Sequence, residues 1–423
     1  MSAAFDNLVR DRARQARLAV AALFFTNGAL FANVIPRYPQ IKAELGLSNA
    51  AYGTVLAGFP LGALVGGLFA AALIGRFRSS RVAALGIVLL AAAILGIGFA
   101  PTAAVLAVVL LMGGAVDAVV DVAQNAHGLR VQRLYGRSIV NSFHGMWSIG
   151  SVTGGLMGAA AAGLQVPLVA HLAVAAATFA AVALVASRFL LPGPEDAERA
   201  PATLADPNAS AVIEPPFPAA RGWRRWAGRV PRAGRVPRAA VAALAVLGVL
   251  AACGALVEDA GSSWAAVYLS GDLGADAVTA GMGFVALSVA MTVGRLTGDR
   301  AVDRFGTAAV VRAGGVLAAA GIGLALAWPT VGTTLTGFAL AGLGVATLVP
   351  AAMHAADELP GLPAGAGLTV VSWLLRAGFL LSPPVVGVIA DAAGLRAGLL
   401  TVVVAGLGML ALGGWLVPRR SWR

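Results

Sequence analysis

The chain has 423 residues, of which 59% are hydrophobic and only 12% are charged. Because soluble domains are about 25% charged, this composition excludes an ordinary water-soluble fold, and the mean hydropathy of +0.85 indicates a membrane protein. The net charge of +11 does not indicate nucleic-acid binding, since the basic residues lie in short joins between apolar runs. The single cysteine, Cys253, excludes an intrachain disulfide.

Twelve apolar segments follow one another along the chain, and each is near the ~20 residues that a bilayer requires. A hydrophilic stretch at 191–238 separates them, which predicts an N-terminal six-helix bundle at 1–190 and a C-terminal one at 239–423. The sequence therefore predicts an all-α integral membrane protein with twelve transmembrane helices. The segments lie at about 18–36, 50–74, 82–100, 102–126, 138–162, 167–190, 239–260, 277–298, 307–328, 331–353, 364–390 and 395–417.

Arginines are concentrated in the joins on one side of the predicted membrane domain. Arg76, Arg78 and Arg81 follow the second segment, whereas the join at Pro101-Thr102 on the other side carries no cation. By the positive-inside rule, this asymmetry predicts that both termini are cytoplasmic. We call the two sides the arginine-rich end and the arginine-poor end.

The hydrophilic stretch at 191–238 is rich in Pro and Ala, which predicts a flexible cytoplasmic linker. Its last part begins at Arg221 and ends at Arg238, and it contains seven arginines and two tryptophans. Such a run attracts anionic lipid headgroups. An equally good interpretation is a solvated retention signal that only sets the topology.

The fourth apolar segment carries the most informative polar residues. Asp117, Asp121 and Asn125 are spaced four apart, so a helix stacks them on one face. A carboxylate at the middle of a bilayer costs on the order of 3 kcal/mol, and the stripe is therefore expected to face protein or water. It either fixes helix packing or forms a solute or proton site.

The two halves of the chain repeat a short loop motif at the same rank. Gly-Arg-Phe-Arg at 75–78 follows the second segment, and Asp-Arg-Phe-Gly at 303–306 follows the eighth. Two six-helix repeats in this order resemble the major facilitator superfamily. The second copy is similar to the Asp-Arg-x-Gly loop signature of that family, whereas the first copy has Gly75 at the acidic position and Arg78 at the glycine position. The resemblance implies a conformational loop motif at Asp299, Asp303, Arg304 and Gly306. The three charged residues of this motif are expected to form a charge network in a cytoplasmic loop.

Four longer stretches are similar to the bacterial facilitators grouped around the inner-membrane protein YbjJ. The resemblance implies a transporter in the cytoplasmic membrane of a bacterium. It carries over Asp121, Asn125, His144 and Trp147, while Asp117 is added by the helical spacing. The stretches are NGALFANVIPRYPQIKAELGLS at 27–48, DVAQNAHG at 121–128, SFHGMWSIG at 142–150 and GRLTGDRAVDRFG at 294–306.

The family resemblance also implies that helices 1, 4, 7 and 10 line a central cavity, with 2, 5, 8 and 11 beside them. Glu258 is expected to face inward and Asp259 to meet water near the arginine-poor end, because adjacent residues do not share a helix face. Arg376 is expected to clamp substrate or to pair with Asp117 or Glu258. Other candidates are Asn27 on helix 1, His144 and Trp147 on helix 5 and His354 on helix 10. The alternative role of His144 is a packed, hydrogen-bonded imidazole, and that of Trp147 is an anchor at the membrane interface.

Asp121 is predicted to exchange a transported proton, while Asp117 mainly shapes the site. Asp121 lies about 6 Å nearer the arginine-rich end, at 1.5 Å of rise per residue. Two carboxylates one turn apart in a low-dielectric cavity do not both ionise easily, so one of them can take up and release a proton near neutral pH.

The predicted function is therefore secondary active transport of a small solute, coupled to protons, by alternating access. Export is favoured over uptake. The alternatives are an uncoupled facilitator, an uptake symporter for a sugar-like solute and, from another class, a membrane sensor or membrane-embedded enzyme. Lys42 is the only lysine, which excludes a Walker A loop. No cofactor and no metal are expected, and the protein is expected to be a monomer.

Overall fold

The structure is a computed structural model that describes residues 2–136, 138–195, 197, 238–360, 362–363 and 365–416. Across these residues the regular secondary structure is helical, and it contains no strand. A short 3-10 turn, Ile35–Arg37, and a short helix, Tyr38–Glu44, connect the first long helix to the second. The long helices are α1 Ser2–Ala32, α2 Asn49–Leu56 with Gly58–Phe77, α3 Ser79–Ile97, α4 Ala103–Tyr135, α5 Val140–Gly163, α6 Leu168–Ser187, α7 Arg238–Gly271, α8 Ala277–Phe305, α9 Thr307–Ala327, α10 Val331–Val345 with Leu348–Asp357, α11 Ala366–Ala393 and α12 Leu395–Leu412.

The predicted all-α membrane architecture is confirmed. Within the described ranges, eleven helical stretches are long and apolar enough to cross a membrane. Helix α5 has 24 residues and completes the set of twelve; its many Gly and Ser residues make it less apolar than the others.

The linker predicted at 191–238 lies almost entirely outside the described residues. Its arginine-rich part, 221–238, is described only at Arg238. The interaction of this run with anionic lipids and the three-part division of the chain therefore stay predictions. Leu191 to Glu195 are described, and they pack against the arginine-rich end of the N-terminal helices. There Arg130 of α4 donates a hydrogen bond of 2.9 Å to the Pro192 carbonyl and lies 3.6 Å from the Glu195 carboxylate.

Small residues bring the helices of each bundle into close contact. Gly62 and Gly66 of α2 press their backbone against Leu111 and Ala115 of α4, so closely that a Cβ at either glycine would overlap main-chain atoms. Because lipid tails are as apolar as the helices, association within a membrane depends on such packing more than on the hydrophobic effect. The abundance of glycine in this chain thus has a direct structural use.

The two bundles meet at the arginine-poor end. Gly53 of α2 packs on the Pro383 carbonyl of α11, and Gly387 of α11 packs in turn on the Asn49 carbonyl. On the other side of the molecule, Gly155 of α5 packs against the Phe284 ring of α8. At the arginine-rich end, by contrast, Asp121, His144 and Arg376 are all exposed. The space between the bundles is therefore closed at the arginine-poor end and open at the arginine-rich end.

The repeated loop motif has the same backbone geometry in both halves. Arg78 has φ 75° and ψ 147°, and Gly306 has φ 81° and ψ 150°. Each residue ends one helix and begins the next, which supports the correspondence of the two copies. The charge network expected among Asp299, Asp303 and Arg304 is wrong for this state: all three are exposed, and no salt bridge joins them in the described structure. They lie at the open end, where water can solvate each charge separately.

Arg78 is strained, and we expect the substitution Arg78→Gly to stabilise the protein. Its φ and ψ lie in a region that essentially only glycine adopts without strain. This conformation costs about 1–3 kcal/mol for other residues. After the greater chain entropy of glycine is subtracted, a gain of about 1 kcal/mol is expected. Thermal unfolding of the purified protein measures it. Arg76→Gly, in the last turn of the same helix, is the control and should destabilise by about 0.5–1 kcal/mol.

Candidate transport cavity

A cavity of about 330 Å³ lies between the two bundles. This volume suits a small molecule. Its walls come from α1, α2, α4, α5, α7, α8 and α11 and from the short segment between α1 and α2. These are the helices predicted to line the cavity or to lie beside it, except that α10 contributes no lining residue. The polar lining residues are Asn27, Tyr38, Asp117, Trp147, Ser148, Ser151, Glu258, Asp259, Ser262, Ser263, Ser288, Thr292, Arg295 and Arg376, and the aromatic ones include Phe31, Phe59, Phe284 and Phe379.

Three of the predicted residues form one hydrogen-bonded chain on the N-terminal wall. The Trp147 indole donates to Asn27 Oδ1 at 2.8 Å. Asn27 Nδ2 in turn donates to Asp117 Oδ1 at 2.7 Å. These two bonds fix the Asn27 amide between α4 and α5, and they fix the side chain of Asp117 on the cavity surface. The helical spacing predicted the position of Asp117, but the three-helix chain was not predicted.

Asp121, Asn125 and His144 lie nearer the open end and are not part of the cavity wall. Asn125 Nδ2 donates to Asp121 Oδ1 at 3.1 Å and to the Asp121 carbonyl at 2.9 Å. The exposed Asp121 carboxylate faces His144 of α5 and Arg376 of α11. The imidazole of His144 packs edge-on against Phe24, with ring centroids 5.3 Å apart. These groups therefore stand between the cavity and the arginine-rich end.

The expected pairing of Arg376 with Asp117 or Glu258 is not found among the described residues. Glu258 Oε2 lies 3.7 Å from Arg295 Nη2 of α8, a residue that the sequence reasoning did not single out. Arg376 lines the cavity but makes no salt bridge with the described residues. The physical reason is that Arg376 is exposed at the open end, where a guanidinium needs no carboxylate to offset the loss of hydration.

Asp259 also lines the cavity, which corrects the expectation that only Glu258 faces inward. Helix α7 extends to Gly271, beyond the predicted end at residue 260, so both acids lie well inside it. Asp259 Oδ1 accepts a hydrogen bond of 2.9 Å from Ser263 Oγ one turn further on. Its Oδ2 is buried, and the Ser382 hydroxyl of α11 lies beside it.

The closed end of the cavity is formed by residues from both bundles. The Tyr52 hydroxyl of α2 donates to the Ser263 carbonyl of α7 at 2.7 Å, and the Tyr52 ring stands edge-on to Trp264, with centroids 5.0 Å apart. Farther out, Asp391 of α11 accepts hydrogen bonds from the backbone N–H groups of Asn49 and Ala50, at 2.8 and 2.9 Å. An acidic residue of one bundle thus caps a helix N-terminus of the other. We call Tyr52, Ser263, Trp264 and Asp391 the outer gate.

The predicted residue His354 is remote from the cavity wall, and His127, which the sequence reasoning did not select, has a structural role. His354 of α10 is exposed and lies 3.5 Å from Glu358. His127 belongs to the stretch at 121–128 but was not selected; it is buried, and its Nε2 accepts the Leu191 N–H at 3.1 Å. Its Nδ1 is therefore the protonated nitrogen of the neutral ring and donates to Ser79 Oγ at 2.9 Å.

The comparisons with known proteins agree with this geometry. The family model described as Major Facilitator Superfamily matches residues 20–257. An uncharacterized transporter y4wD of Sinorhizobium fredii is 30% identical over 381 residues, which are 89% of this chain and 92% of that protein. The membrane protein MosC of Rhizobium meliloti is 28% identical and covers 92% of this chain and 87% of its own length.

Solved structures share the fold at low sequence identity. The structure of a D-xylose-proton symporter has a TM-score of 0.70 at 14% identity and covers 97% of this chain and 99% of its own. The structure of the nucleoside transporter NupG has a TM-score of 0.68, also at 14% identity, and covers 95% and 98%. The predicted facilitator fold is confirmed, whereas the narrower resemblance to the YbjJ group stays a prediction.

Proposed function

Since this chain belongs to the major facilitator superfamily and is a membrane transporter and not an enzyme, we propose that it carries a polyhydroxylated, ring-bearing solute coupled to protons. The observation that carries the proposal is the chain from Trp147 through Asn27 to Asp117 on the cavity wall. It fixes a carboxylate beside an aromatic ring, and that pair suits a ring with hydroxyl groups, whose face packs on aromatics while its O–H groups donate to oxygen.

The remaining lining residues suit the same class of solute. The hydroxyls of Ser148, Ser262 and Thr292 each donate to a carbonyl of their own helix. Their oxygens keep acceptor capacity for the O–H groups of a solute. The rings of Phe31, Phe59, Phe284 and Phe379 supply apolar surface in the same cavity. Sugars and nucleosides combine these two kinds of surface, and the D-xylose-proton symporter and the nucleoside transporter with the same fold have names that indicate such solutes.

Proton coupling is proposed from Asp117, which forms no salt bridge in the described structure, and from Asp121 at the open end. Glu258 is neutralised by Arg295, whereas Asp117 is hydrogen-bonded only by an amide in the described structure. A carboxylate on the cavity wall without a cation beside it becomes neutral most readily by taking up a proton. Asp121, one turn away, is exposed at the open end, where it can exchange a proton with water. We assign the proton exchange with the arginine-rich side to Asp121 and the contact with solute to Asp117.

The arginine asymmetry indicates the side of the membrane to which the cavity opens. If both termini are cytoplasmic, as the positive-inside rule predicts, this structure is open to the cytoplasm and closed to the outside. Alternating access then requires the outer gate to separate while the bundles approach each other at the arginine-rich end. Export as the physiological direction stays part of the proposal, and so does placement in the cytoplasmic membrane of a bacterium.

Counterflow in proteoliposomes tests the proposed solute class. Vesicles loaded with D-xylose, L-fucose or uridine are diluted into the same solute in radiolabelled form, without any pH gradient. Saturable uptake of label that exceeds the level in empty vesicles supports the proposal. If none of these solutes, nor any other sugar or nucleoside in the panel, is exchanged, the solute class is wrong. A sensor or an enzyme would show no exchange of any kind.

Trp147→Phe should weaken solute binding without unfolding the protein. The substitution keeps an aromatic ring but removes the N–H that Asn27 Oδ1 accepts. An acceptor that loses its partner costs about 1–3 kcal/mol, so we expect the KM for counterflow to rise by about tenfold. Trp328→Phe, an exposed position at the arginine-poor end, is the matched control and should leave the KM unchanged. Equal KM values for the two variants would contradict the role assigned to Trp147.

A further inference from the structure

Asp259 has no assigned role in the transport cycle described above, yet its position is unusual. It lines the cavity that opens to the arginine-rich end. One helical turn beyond it, about 6 Å along α7, Ser263 and Trp264 belong to the outer gate. The hydroxyl of Ser263 bonds to Asp259, while the carbonyl of the same residue accepts from Tyr52 of the opposite bundle. Asp259 is thus linked through a single residue, Ser263, to the contact that closes the cavity.

The two adjacent acids of α7 have different surroundings. Glu258 has a guanidinium 3.7 Å away. Asp259 has no cation within salt-bridge distance in the described structure, and beside its buried Oδ2 lies a neutral hydroxyl group and no cation. The titratable groups that face it are Glu258 on its own helix, Tyr38 of the short helix and Tyr52 of α2. Ser382 of α11 faces it as well. None of these groups supplies a positive charge.

We propose that Asp259 is a second protonation site of the carrier, and that the outer gate switches its access from one side of the membrane to the other. In the present state the site opens into the cavity and so to the arginine-rich end. When the bundles separate at the outer gate, Tyr52 and Tyr38 withdraw with the N-terminal bundle, and Asp259 faces the arginine-poor side. The proton adds to one carboxylate oxygen and leaves from the same oxygen, so no further reactant is needed. The inference rests on the proposed proton coupling and extends it to the outer side.

The first test asks whether Asp259 holds a proton. Infrared difference spectra of the purified protein are recorded between acidic and alkaline buffer for the native protein, Asp259→Asn, Asp259→Ser and Glu258→Gln. We expect both Asp259 variants to lose one protonated-carboxyl band that Glu258→Gln retains, because that band belongs to the Asp259 carboxyl group. If the Asp259 variants show the native set of bands, the proposal is overturned.

The second test asks whether the access of this site changes sides. In a Cys253→Ala background, a thiol is introduced by Asp259→Cys and labelled with a membrane-impermeant maleimide, in whole cells and in inverted membrane vesicles. We expect labelling from one face only. Adding Gly53→Val, which prevents closure between α2 and α11, should transfer labelling to the opposite face, while Gly67→Val, at a glycine with open space around it, should not. Labelling from the same face in all three backgrounds would overturn the proposal.

Neither test needs a transported solute. Failure to exchange any sugar or nucleoside would therefore refute the proposed solute class without bearing on Asp259. A carrier that exchanges such a solute but shows native carboxyl bands in Asp259→Asn would keep its proposed function and lose this second site.

Discussion

Asp121→Asn is expected to abolish transport driven by a pH gradient and to retain exchange of solute at equal pH. The amide has nearly the shape of the carboxyl group and can still bond to Asn125, which contacts Asp121 Oδ1 at 3.1 Å, but it cannot bind and release a proton. A gradient of one pH unit is worth about 1.4 kcal/mol per proton, or about tenfold in solute accumulation. We expect this whole factor to be lost.

The measurement compares two modes of transport in the same proteoliposomes. One mode is net transport after a pH jump, and the other is counterflow without a gradient. Asp357→Asn, which removes an exposed carboxylate at the end of α10, serves as the control and should behave like the native protein. Unimpaired gradient-driven transport in Asp121→Asn would refute the assignment, and loss of both modes would show that Asp121 has a structural role.

Gly53→Val is expected to hold the carrier open at the arginine-poor end and so to stop transport. A Cβ at Gly53 would overlap the carbonyl of Pro383 on the opposite bundle. That carbonyl belongs to the helical backbone beside a second proline, Pro384, so it cannot rotate away as a flexible side chain would. Overpacking of this kind costs about 1–3 kcal/mol or more, and each 1.4 kcal/mol lowers the closed population about tenfold. The contact lies between the two bundles and not within either one, so we expect the protein to remain folded.

A pair of cysteines reports the state of the gate directly. The Asn49 N–H bonds to Asp391 at 2.8 Å, so Asn49→Cys and Asp391→Cys in a Cys253→Ala background should cross-link on mild oxidation. We expect this cross-link to disappear when Gly53→Val is added and to persist with Gly67→Val. The thermal unfolding temperature of the Gly53→Val protein shows whether loss of transport comes from a carrier held open or from an unfolded protein. Efficient cross-linking together with normal counterflow in Gly53→Val would contradict the expected lock.

Some features of this protein follow from local sequence alone. Segment length and hydropathy predicted the twelve helices, because a bilayer requires the same apolar length of every spanning helix. The spacing of four between Asp117 and Asp121 predicted a shared face, because a helix turns once every 3.6 residues. The positions of Arg78 and Gly306 in the repeated loop likewise predicted a correspondence that the backbone angles support.

The chemistry of the cavity was decided by contacts between helices that are far apart in sequence. Nothing near Glu258 indicates Arg295 as its partner, and nothing near Tyr52 indicates the Ser263 carbonyl. Glu258 lines the cavity as expected, but so does Asp259. The expectation that Asp259 meets water was wrong because hydropathy ended α7 near residue 260, whereas the helix continues to Gly271. Hydropathy and periodicity report how one helix meets its surroundings on average. Which side chains of two helices come within hydrogen-bonding distance depends on how closely their small residues allow the backbones to approach, and only the tertiary structure contains that information.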